Sequence, residues 1–283
     1  MGDPASDERL QIAIAIEQAM AGGEVIAVAT VVDAGANRDI TAGAKLLVRR
    51  DGSGLGALDG GALDEFVRAA AVEHLGSLPR VLVRTLWVAP DRGAVERRSR
   101  AAEGDAQVMV ELFETPAKLV IVGGGHIGLA LAEMGKIVGF KIHLLDDREE
   151  FANRERFPMA EHVFAGDLGE GVDALTLDGA TYVVLVSRGH QQDELALGHA
   201  VGRGAAYVGM IGSRRRTRTV LQHLLAAGHG REALEEVHTP IGIDIGAETP
   251  EEIAVSILAE LILVRRGGSG VRMRARRAPL RGD

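Results

Sequence analysis

A glycine-rich turn in the second half of the chain has the spacing that nucleotide-binding proteins use. Gly123, Gly125 and Gly128 fit the pattern G-x-G-x-x-G, directly after the apolar run 119–122. In such a turn the first glycine permits a tight bend, the second lets the backbone approach a pyrophosphate, and the third lets the next helix pack on the strand. Free N–H groups at the start of that helix attract phosphate. The pattern predicts a nucleotide or dinucleotide site, with a fold that has lost its ligand as the alternative.

An acidic residue follows at the distance expected for ribose recognition. Asp146 lies 23 residues after Gly123 and ends the next apolar run. An acid at this position favours a free 2′-hydroxyl, whereas the nearby Arg148 would suit a 2′-phosphate, so the choice between the two stays open. His126 lies inside the glycine turn, where its side chain would point near the phosphates.

A second motif combines a serine cap with arginines. Ser213 is a natural N-cap, and Arg214, Arg215 and Arg216 fall in the first helical turn after it. Positive charge there is unfavourable next to the positive end of the helix macrodipole, and a bound anion would offset this loss of stability. Ser213, Arg214 and Arg215 therefore predict a phosphate or carboxylate clamp, with a solvated basic helix face as the alternative.

Two further segments carry ionisable side chains at predicted strand ends or in loops. His190, like His126, is a candidate general acid or base, and Asp193 is a candidate helix cap or catalytic partner. Asp244 and Glu248 could form a metal or ammonium site, although a structured turn before the last helix is the favoured interpretation. The catalytic residues therefore stay unknown, with His190, His126 and Asp193 as candidates, and no metal is expected beyond that weak pair.

The apolar runs around these motifs predict the elements that position them. After Pro116, short apolar strands alternate with helical patterns, which is typical of a parallel sheet covered on both faces. A capping box over 249–252 opens the last helix. The predicted strands are 118–122, 141–145, 162–165, 182–187 and 206–211, and the predicted helices are 127–138, 191–202, 214–227 and 250–263. This pattern predicts a Rossmann-like, doubly wound parallel sheet.

The chain before Pro116 predicts a smaller N-terminal α/β domain. Its predicted helices are 9–20 and 63–75, and its predicted strands are 25–32, 45–49 and 80–88. The polar stretch 90–105 is the predicted linker, and 108–113 is a predicted short strand that belongs to the domain on one side or the other of it. We therefore expect an N-terminal domain over 1–105, a Rossmann-like nucleotide-binding domain over 106–266 and a basic flexible tail over 267–283.

Composition excludes several classes of protein. The 283 residues are 46% hydrophobic, which excludes wholesale disorder, and the absence of cysteine removes disulfides, thiolate zinc sites and cysteine nucleophiles. The first residues do not resemble a secretory signal, and the longest clean apolar run, 25–32, is too short for a membrane span, so we expect a cytoplasmic protein. Residues 265–283 hold seven arginines against one acid, while the net charge is −8. The rest of the chain is therefore acidic, and no specific nucleic-acid partner is expected.

Taken together, these motifs resemble the XdhC/CoxI family of accessory proteins for xanthine dehydrogenase and related molybdenum hydroxylases. The resemblance is strongest over 118–266, and the run 240–254 is its most distinctive part. It implies a small N-terminal domain, a Rossmann domain, and a role in binding molybdenum cofactor, assisting its maturation or sulfuration, and inserting it into an apo-hydroxylase. The cytosine dinucleotide form of that cofactor carries a pyrophosphate and a ribose, so a glycine turn and an arginine clamp suit it without hydride transfer.

The chain departs from this family at two thiol positions. Family members often carry Gly-Gly-Cys-x-Glu where this chain has Gly60-Gly-Ala-Leu-Asp64, and a second family cysteine would fall near Ala102. If the family thiols transfer sulfur or hold molybdenum, this chain cannot act in that way, which affects the expected sulfuration step more than the expected binding step.

Three functions therefore stay open. The resemblance favours a maturation factor that works by binding and handover more than a turnover enzyme. Its implied partners are an apo molybdenum hydroxylase and a cofactor-sulfurating or nucleotidyl-transfer enzyme, and a homo-oligomer is compatible with it. The alternatives are an NAD(P)-dependent oxidoreductase, with His190 or His126 as proton donor, and a non-catalytic interaction factor with a vestigial nucleotide site.

Overall fold

The chain forms two compact units, Met1–Thr115 and Pro116–Asp283, in a computed structural model. The structure describes residues 4–38, 40–77, 81–89, 91 and 93–276. Each unit has its own sheet and its own apolar core. No helix within these ranges is both long enough and apolar enough to cross a membrane.

The first unit is built on a six-stranded antiparallel sheet with the order β3-β2-β1-β6-β4-β5. Its strands are β1 (Ile26–Asp33), β2 (Lys45–Val48), β3 (Gly54–Gly56), β4 (Val83–Ala89), β5 (Gly93–Val95) and β6 (Ala106–Phe113), and its helices are α1 (Pro4–Met20) and α2 (Ala62–Gly76). The predicted helices and long strands are present, with ends that differ by a few residues.

The helices α1 and α2 of this unit cover opposite faces of the sheet. Side chains alternate between the faces along a strand. Ala27 and Ala29 of β1 pack in the core that includes Val67 of α2, whereas Val28 packs in the cluster that includes Ile12 of α1. This double burial explains why β1 is apolar at most positions on both faces.

The first unit extends further than the boundary at residue 105 that the sequence predicts. β6 pairs with β1 on one side and with β4 on the other, so it lies in the middle of the first sheet. The unit therefore ends at Thr115. The predicted linker 90–105 includes β5, which pairs with β4 at the sheet edge.

The second unit is the predicted doubly wound α/β fold. Its five strands are all parallel, with the order β11-β10-β7-β8-β9. The strands are β7 (Lys118–Val122), β8 (Lys141–Asp146), β9 (His162–Ala165), β10 (Thr181–Leu185) and β11 (Tyr207–Met210). The helices are α3 (His126–Ile137), α4 (Leu168–Asp173), α5 (His190–Ala200), α6 (Arg214–Ala226), α7 (Arg231–Glu235) and α8 (Pro250–Arg266). The strand order reverses at β7, and the crevice outside the carboxyl ends of β7 and β10 is where such sheets bind ligands.

Helices cover both faces of this sheet. Leu119 of β7 packs in a core with Leu131 of α3 and Ile257 of α8. The next residue, Val120, packs in a second core with Ala196 of α5 and Val220 of α6. The strands are therefore buried on both faces, as their continuous apolar runs indicate.

The last helix ends close to the predicted tail. Gly267 adopts a left-handed conformation and caps α8. Residues Met273–Arg276 form a short 3₁₀-helix, and residues 277–283 of the predicted tail lie outside the described ranges.

Candidate functional site

The glycine turn lies between β7 and α3, and two of its glycines are required by close packing. Gly123 has a φ of +117°, and a Cβ on it would lie 2.8 Å from the backbone nitrogen of Ser187. A Cβ on Gly128 would lie 1.9 Å from the carbonyl oxygen of Gly123. The tight bend and the close approach of helix to strand are therefore both present.

Gly125 differs from its neighbours because it faces open space. It is the N-cap of α3, with no side-chain cap hydrogen bond, and a Cβ built on it meets no atom within 4 Å. A ligand can therefore approach the backbone here and reach the N-terminal N–H groups of α3. His126 is the first residue of α3 and is exposed beside this position.

Gly124 is a third close-packed position, which the spacing pattern does not include. A Cβ on Gly124 would lie 2.2 Å from the carbonyl oxygen of Phe151. The segment after β8 therefore packs directly against the glycine turn. Arg156, from the same segment, donates from Nε to the carbonyl oxygen of Gly124 at 3.1 Å.

Asp146 holds the glycine turn rather than presenting a free acceptor. Its side chain is 2% exposed, and it accepts the N–H of Gly124 at 2.7 Å. It also accepts the backbone N–H of Arg148 at 3.1 Å, and the Nε and Nη2 groups of Arg148 at 2.9 and 3.1 Å. The expected ribose contact needs an acceptor that these donors already use.

Arg148 is held on two further sides. Its guanidinium carbon lies 3.9 Å from the centre of the Phe151 ring, and its Nε lies 3.6 Å from a carboxylate oxygen of Asp147. Burial alone would raise the pKa of Asp146, but the hydrogen bonds from Arg148 and Gly124 outweigh it and hold that pKa below its ordinary value. Asp146 therefore stays ionised and bound to Arg148 at neutral pH.

A buried ion pair joins the ends of β10, α5 and α6. Asp193 is completely buried, and it accepts the hydroxyl of Ser187 at 2.6 Å and Nη2 of Arg216 at 2.7 Å. Gly189, and not Asp193, is the N-cap of α5. Asp193 and Arg216 therefore hold these segments together, which corrects the capping role expected of Asp193, whereas its catalytic role stays a prediction. His190 begins α5, and its side chain lies outside the described part of the chain.

The serine cap of α6 is present, and it leaves two arginines exposed. Ser213 accepts the backbone N–H of Arg216 at 3.3 Å. Arg214 and Arg215 are exposed, whereas Arg216 turns inward to Asp193. The predicted clamp thus retains Ser213, Arg214 and Arg215 at the surface.

The fold brings this motif together with the loop that precedes α8. A cavity of about 500 Å³ lies between them and is lined by Arg214, Asp244, three glycines and the side chains of several isoleucines. The two motifs are far apart in the sequence, because 27 residues lie between Gly212 and Pro240. The cavity lies next to the carboxyl end of β11, on the edge of the sheet where ligands bind in this class of fold.

The wall of this cavity is fixed to α8 by a carboxylate that the sequence patterns do not reveal. Glu260 Oε2 accepts the hydroxyl of Tyr207 at 2.6 Å and the N–H of Gly242 at 2.7 Å. Ser256 donates its hydroxyl to the carbonyl oxygen of Ile243 at 2.6 Å. Burial and the adjacent Glu260 raise the pKa of Tyr207, so its hydroxyl remains a donor. Glu260 does not stand out in the sequence because a glutamate in an amphipathic helix usually faces solvent.

Asp244 and Glu248 lie in the turn that precedes α8. Both residues are exposed, and the N–H of Glu248 donates to the carboxylate of Glu252 as part of the turn into α8. Within the described ranges, no group of three or more His, Asp or Glu side chains is arranged to hold a metal ion. The capping box itself is present, with Thr249 and Glu252 each accepting the other's backbone N–H.

Two family profiles match the chain. That of the XdhC Rossmann domain matches residues 119–261, which is half of the chain, and that of the XdhC and CoxI family matches residues 19–95. The chain belongs to the XdhC and CoxI family. For this family member, the matched ranges include the glycine turn, the arginine motif and the loop before α8.

Curated relatives differ in how much of their length this XdhC/CoxI chain spans. The uncharacterized protein YqeB of Escherichia coli K12 is 31% identical over 80% of this chain and 41% of its own length. A probable xanthine dehydrogenase subunit from Bacillus subtilis is 26% identical over 56% of this chain and 46% of its own length. The chain therefore spans less than half of these two proteins. The molybdenum cofactor insertion chaperone PaoD of E. coli K12 is 25% identical over 92% of this chain and 89% of its own length.

A solved structure has a similar fold. The crystal structure of a xanthine dehydrogenase from Bacillus halodurans matches 91% of this chain and 96% of its own, with a TM-score of 0.52 and 18% identity. At this identity the similarity concerns the fold alone.

Proposed function

We propose that this protein binds molybdenum cofactor in its second unit and hands it to an apo molybdenum hydroxylase. Family membership supports this role, and so does the similarity to a molybdenum cofactor insertion chaperone along almost its whole length. The relative named as a xanthine dehydrogenase subunit supports a hydroxylase as the partner. In this proposal the protein works by binding and release, and handover takes place in the cytoplasm.

The observation that carries the proposal is the convergence of two family motifs on one cavity. Arg214 comes from the motif after β11, and the isoleucines and Asp244 come from the loop before α8. Apolar side chains with a few polar groups are typical of sites for small ring systems. The volume of about 500 Å³ is within the range of small-molecule sites.

The residues present fit the chemistry of a pterin with a phosphate arm. Isoleucine side chains suit the faces of a ring, Asp244 suits its amino edge, and the guanidinium of Arg214 suits an anionic oxygen. The open backbone at Gly125 suits a phosphate. When bound to its hydroxylase, the cofactor supplies the redox-active molybdenum, and the role of this chain is to hold the cofactor and release it intact.

Sulfuration needs a second protein in this proposal. The chain has no cysteine, so it cannot carry a persulfide. Ala62 is exposed at the start of α2, and Ala102 is also exposed, at the two positions where family members often place thiols. We therefore assign sulfur transfer to a separate cofactor-sulfurating enzyme, which would act while this protein holds the cofactor.

The test is recovery of the cofactor with the purified protein. We expect the protein, purified without oxygen, to retain a molybdenum-bearing pterin that mass spectrometry identifies, and to raise the activity of a co-expressed hydroxylase. Arg214→Ala should reduce the retained cofactor about tenfold, because a hydrogen bond to a charged group is lost. Arg218→Ala, one turn further along α6 and also exposed, is the matched control and should retain the wild-type amount.

The same purification distinguishes the competing functions. Equal retention by the two arginine variants would contradict the role given to the cavity. Recovery of NADH or NADPH with redox turnover would favour an oxidoreductase that uses the same glycine turn. If no small molecule is recovered and the activity of the hydroxylase is unchanged, a protein-interaction role is the remaining candidate.

A further inference from the structure

The carboxylate of Asp146 has no acceptor position left for a ligand. An ionised carboxylate offers about four lone-pair positions. Gly124 and Arg148 supply four hydrogen bonds to Asp146, of 2.7 to 3.1 Å, and two of them come from the guanidinium fork of Arg148. Both oxygens are engaged and the side chain is 2% exposed. A ribose hydroxyl can reach Asp146 only if the fork of Arg148 moves away.

Several contacts hold Arg148 in this position. It forms a two-point ion pair with Asp146, stacks on Phe151 and lies near Asp147. Phe151 is fixed in turn, because its carbonyl oxygen occupies the space beside Gly124. Two-point pairing of arginine with a carboxylate is among the stronger polar contacts in proteins, so displacement of Arg148 would weaken ligand binding.

The surroundings of Arg148 do not favour a 2′-phosphate either. Asp147, Glu149 and Glu150 flank it in the chain and are exposed. The negative charges of Asp147 and Glu150, which act on the already paired guanidinium, would repel the 2′-phosphate of a ligand. The position that selects between the two nicotinamide dinucleotides in other Rossmann domains therefore suits neither of them here.

We propose that Arg148 is a specificity-determining residue, which fills the ribose position from within the chain and makes binding at the glycine turn independent of the ribose hydroxyls. The inference rests on the proposed cofactor-binding function and narrows its ligand class. The turn takes a phosphate group without recognising a nucleoside beyond it. The preferred ligand is then a pterin that ends in a phosphate, rather than its dinucleotide form or a nicotinamide dinucleotide.

Matched nucleotides test this inference without the labile cofactor. Binding of inorganic pyrophosphate, CDP and 2′-deoxy-CDP is measured by titration calorimetry on the full chain. For the wild type we expect CDP and 2′-deoxy-CDP to bind within twofold of each other. Arg148→Ala frees two acceptor positions on Asp146, so it should bind CDP about tenfold more tightly than 2′-deoxy-CDP. Pyrophosphate should bind both proteins equally.

Two further variants serve as a substitute for Arg148→Ala and as a control. Arg148→Gln removes the charge and keeps much of the side-chain volume, so it should also gain a preference for CDP if Arg148→Ala proves unstable. Arg218→Ala, with an exposed guanidinium on α6, should behave as the wild type. Melting temperatures of all variants are recorded beside the titrations.

The outcomes separate this inference from the proposed function. A tenfold preference of the wild type for CDP over 2′-deoxy-CDP would overturn the inference and leave cofactor binding standing. The same result follows if neither Arg148 variant gains the preference while pyrophosphate still binds. If none of the three probes binds any of the proteins, the inference is wrong. The proposed function is tested separately, by recovery of the cofactor with the purified protein.

Discussion

At the scale of single residues, the glycines of the turn perform two separable tasks. Gly123, Gly124 and Gly128 leave no room for a side chain, whereas Gly125 faces open space. The first three are thus needed for folding and the last for ligand access. The spacing of the glycines predicts the turn, and only the packing distances reveal which position is open.

This difference predicts that the same substitution affects stability at one position and ligand binding at the other. Gly128→Ala should lower the free energy of unfolding by about 2 kcal/mol or more, because the added methyl group overlaps the carbonyl oxygen of Gly123. Gly125→Ala should change stability by less than about 0.5 kcal/mol, but should weaken pyrophosphate binding. Urea unfolding and calorimetry measure the two effects. A destabilised Gly125→Ala protein would contradict the assignment.

Asp146 illustrates where residue patterns stop being informative. Its type and spacing predict its place at the end of β8, which the structure confirms. Spacing does not reveal which donor forms hydrogen bonds with the carboxylate of Asp146. Arg148 is only two residues away, and its planar fork matches a carboxylate without the need for a ligand.

At the scale of elements, the loop before α8 depends on a contact between distant segments. Glu260 on α8 binds both Tyr207 at the start of β11 and Gly242 in the loop. Tyr207 is 2% exposed and stacks on His238, with ring centres 4.3 Å apart. Its hydroxyl would be buried without a partner if Glu260 were absent.

Removal of this carboxylate should therefore loosen the cavity wall. Glu260→Ala should lower the free energy of unfolding by about 1–3 kcal/mol, since a buried donor is left without an acceptor. Glu260→Gln keeps one acceptor oxygen and should lose less. Glu251→Ala, on an exposed position of the same helix, should stay within about 0.5 kcal/mol of the wild type in the same urea unfolding measurement. An equal loss in Glu251→Ala would argue against a specific role of Glu260.

Most elements could be predicted from the sequence, including strands of four residues, whereas the three-residue strands and the shortest helices could not. Continuous apolar runs and the capping box at Thr249 predict β7, β8, β10 and α8, because both faces of the sheet are buried and the helix cap has a specific pattern. β3 and β5 have only three residues each and contain glycine, so the sequence of β3 is typical of a turn and that of β5 is typical of a linker. The strands exist because a longer neighbour supplies their hydrogen bonds. The helix α4 is also short, and two of its six residues are glycines, so its sequence does not predict a helix.

At the scale of the whole molecule, the chain is divided at Thr115 by the course of β6. The sequence places the division at residue 105, because a polar stretch ends there. The pairing of β6 with β1 and β4 shows that it completes the first sheet. A polar stretch can therefore lie within a unit when it connects strands of one sheet.

Two fragments test this division. A fragment of residues 1–115 should fold cooperatively, because it contains all six strands and both helices of its unit. A fragment of residues 1–105 lacks the strand between β1 and β4, so it should be unfolded or aggregated. Circular dichroism during heating and size-exclusion chromatography compare them. A well-folded shorter fragment would contradict the division at Thr115.

The central place of β6 also has a consequence for the newly made chain on the ribosome. Both strands that flank β6 in the sheet, β1 and β4, are synthesised before it, and each has a row of N–H and C=O groups without a partner until β6 pairs with it. Exposed strand edges of this kind readily pair with other chains. The first unit can close only once Phe113 has left the ribosomal exit tunnel, when synthesis of the second unit is already under way. Synonymous codon changes that slow translation of residues 90–113 should therefore lower the yield of soluble protein, even though they leave the amino-acid sequence and the finished structure unchanged.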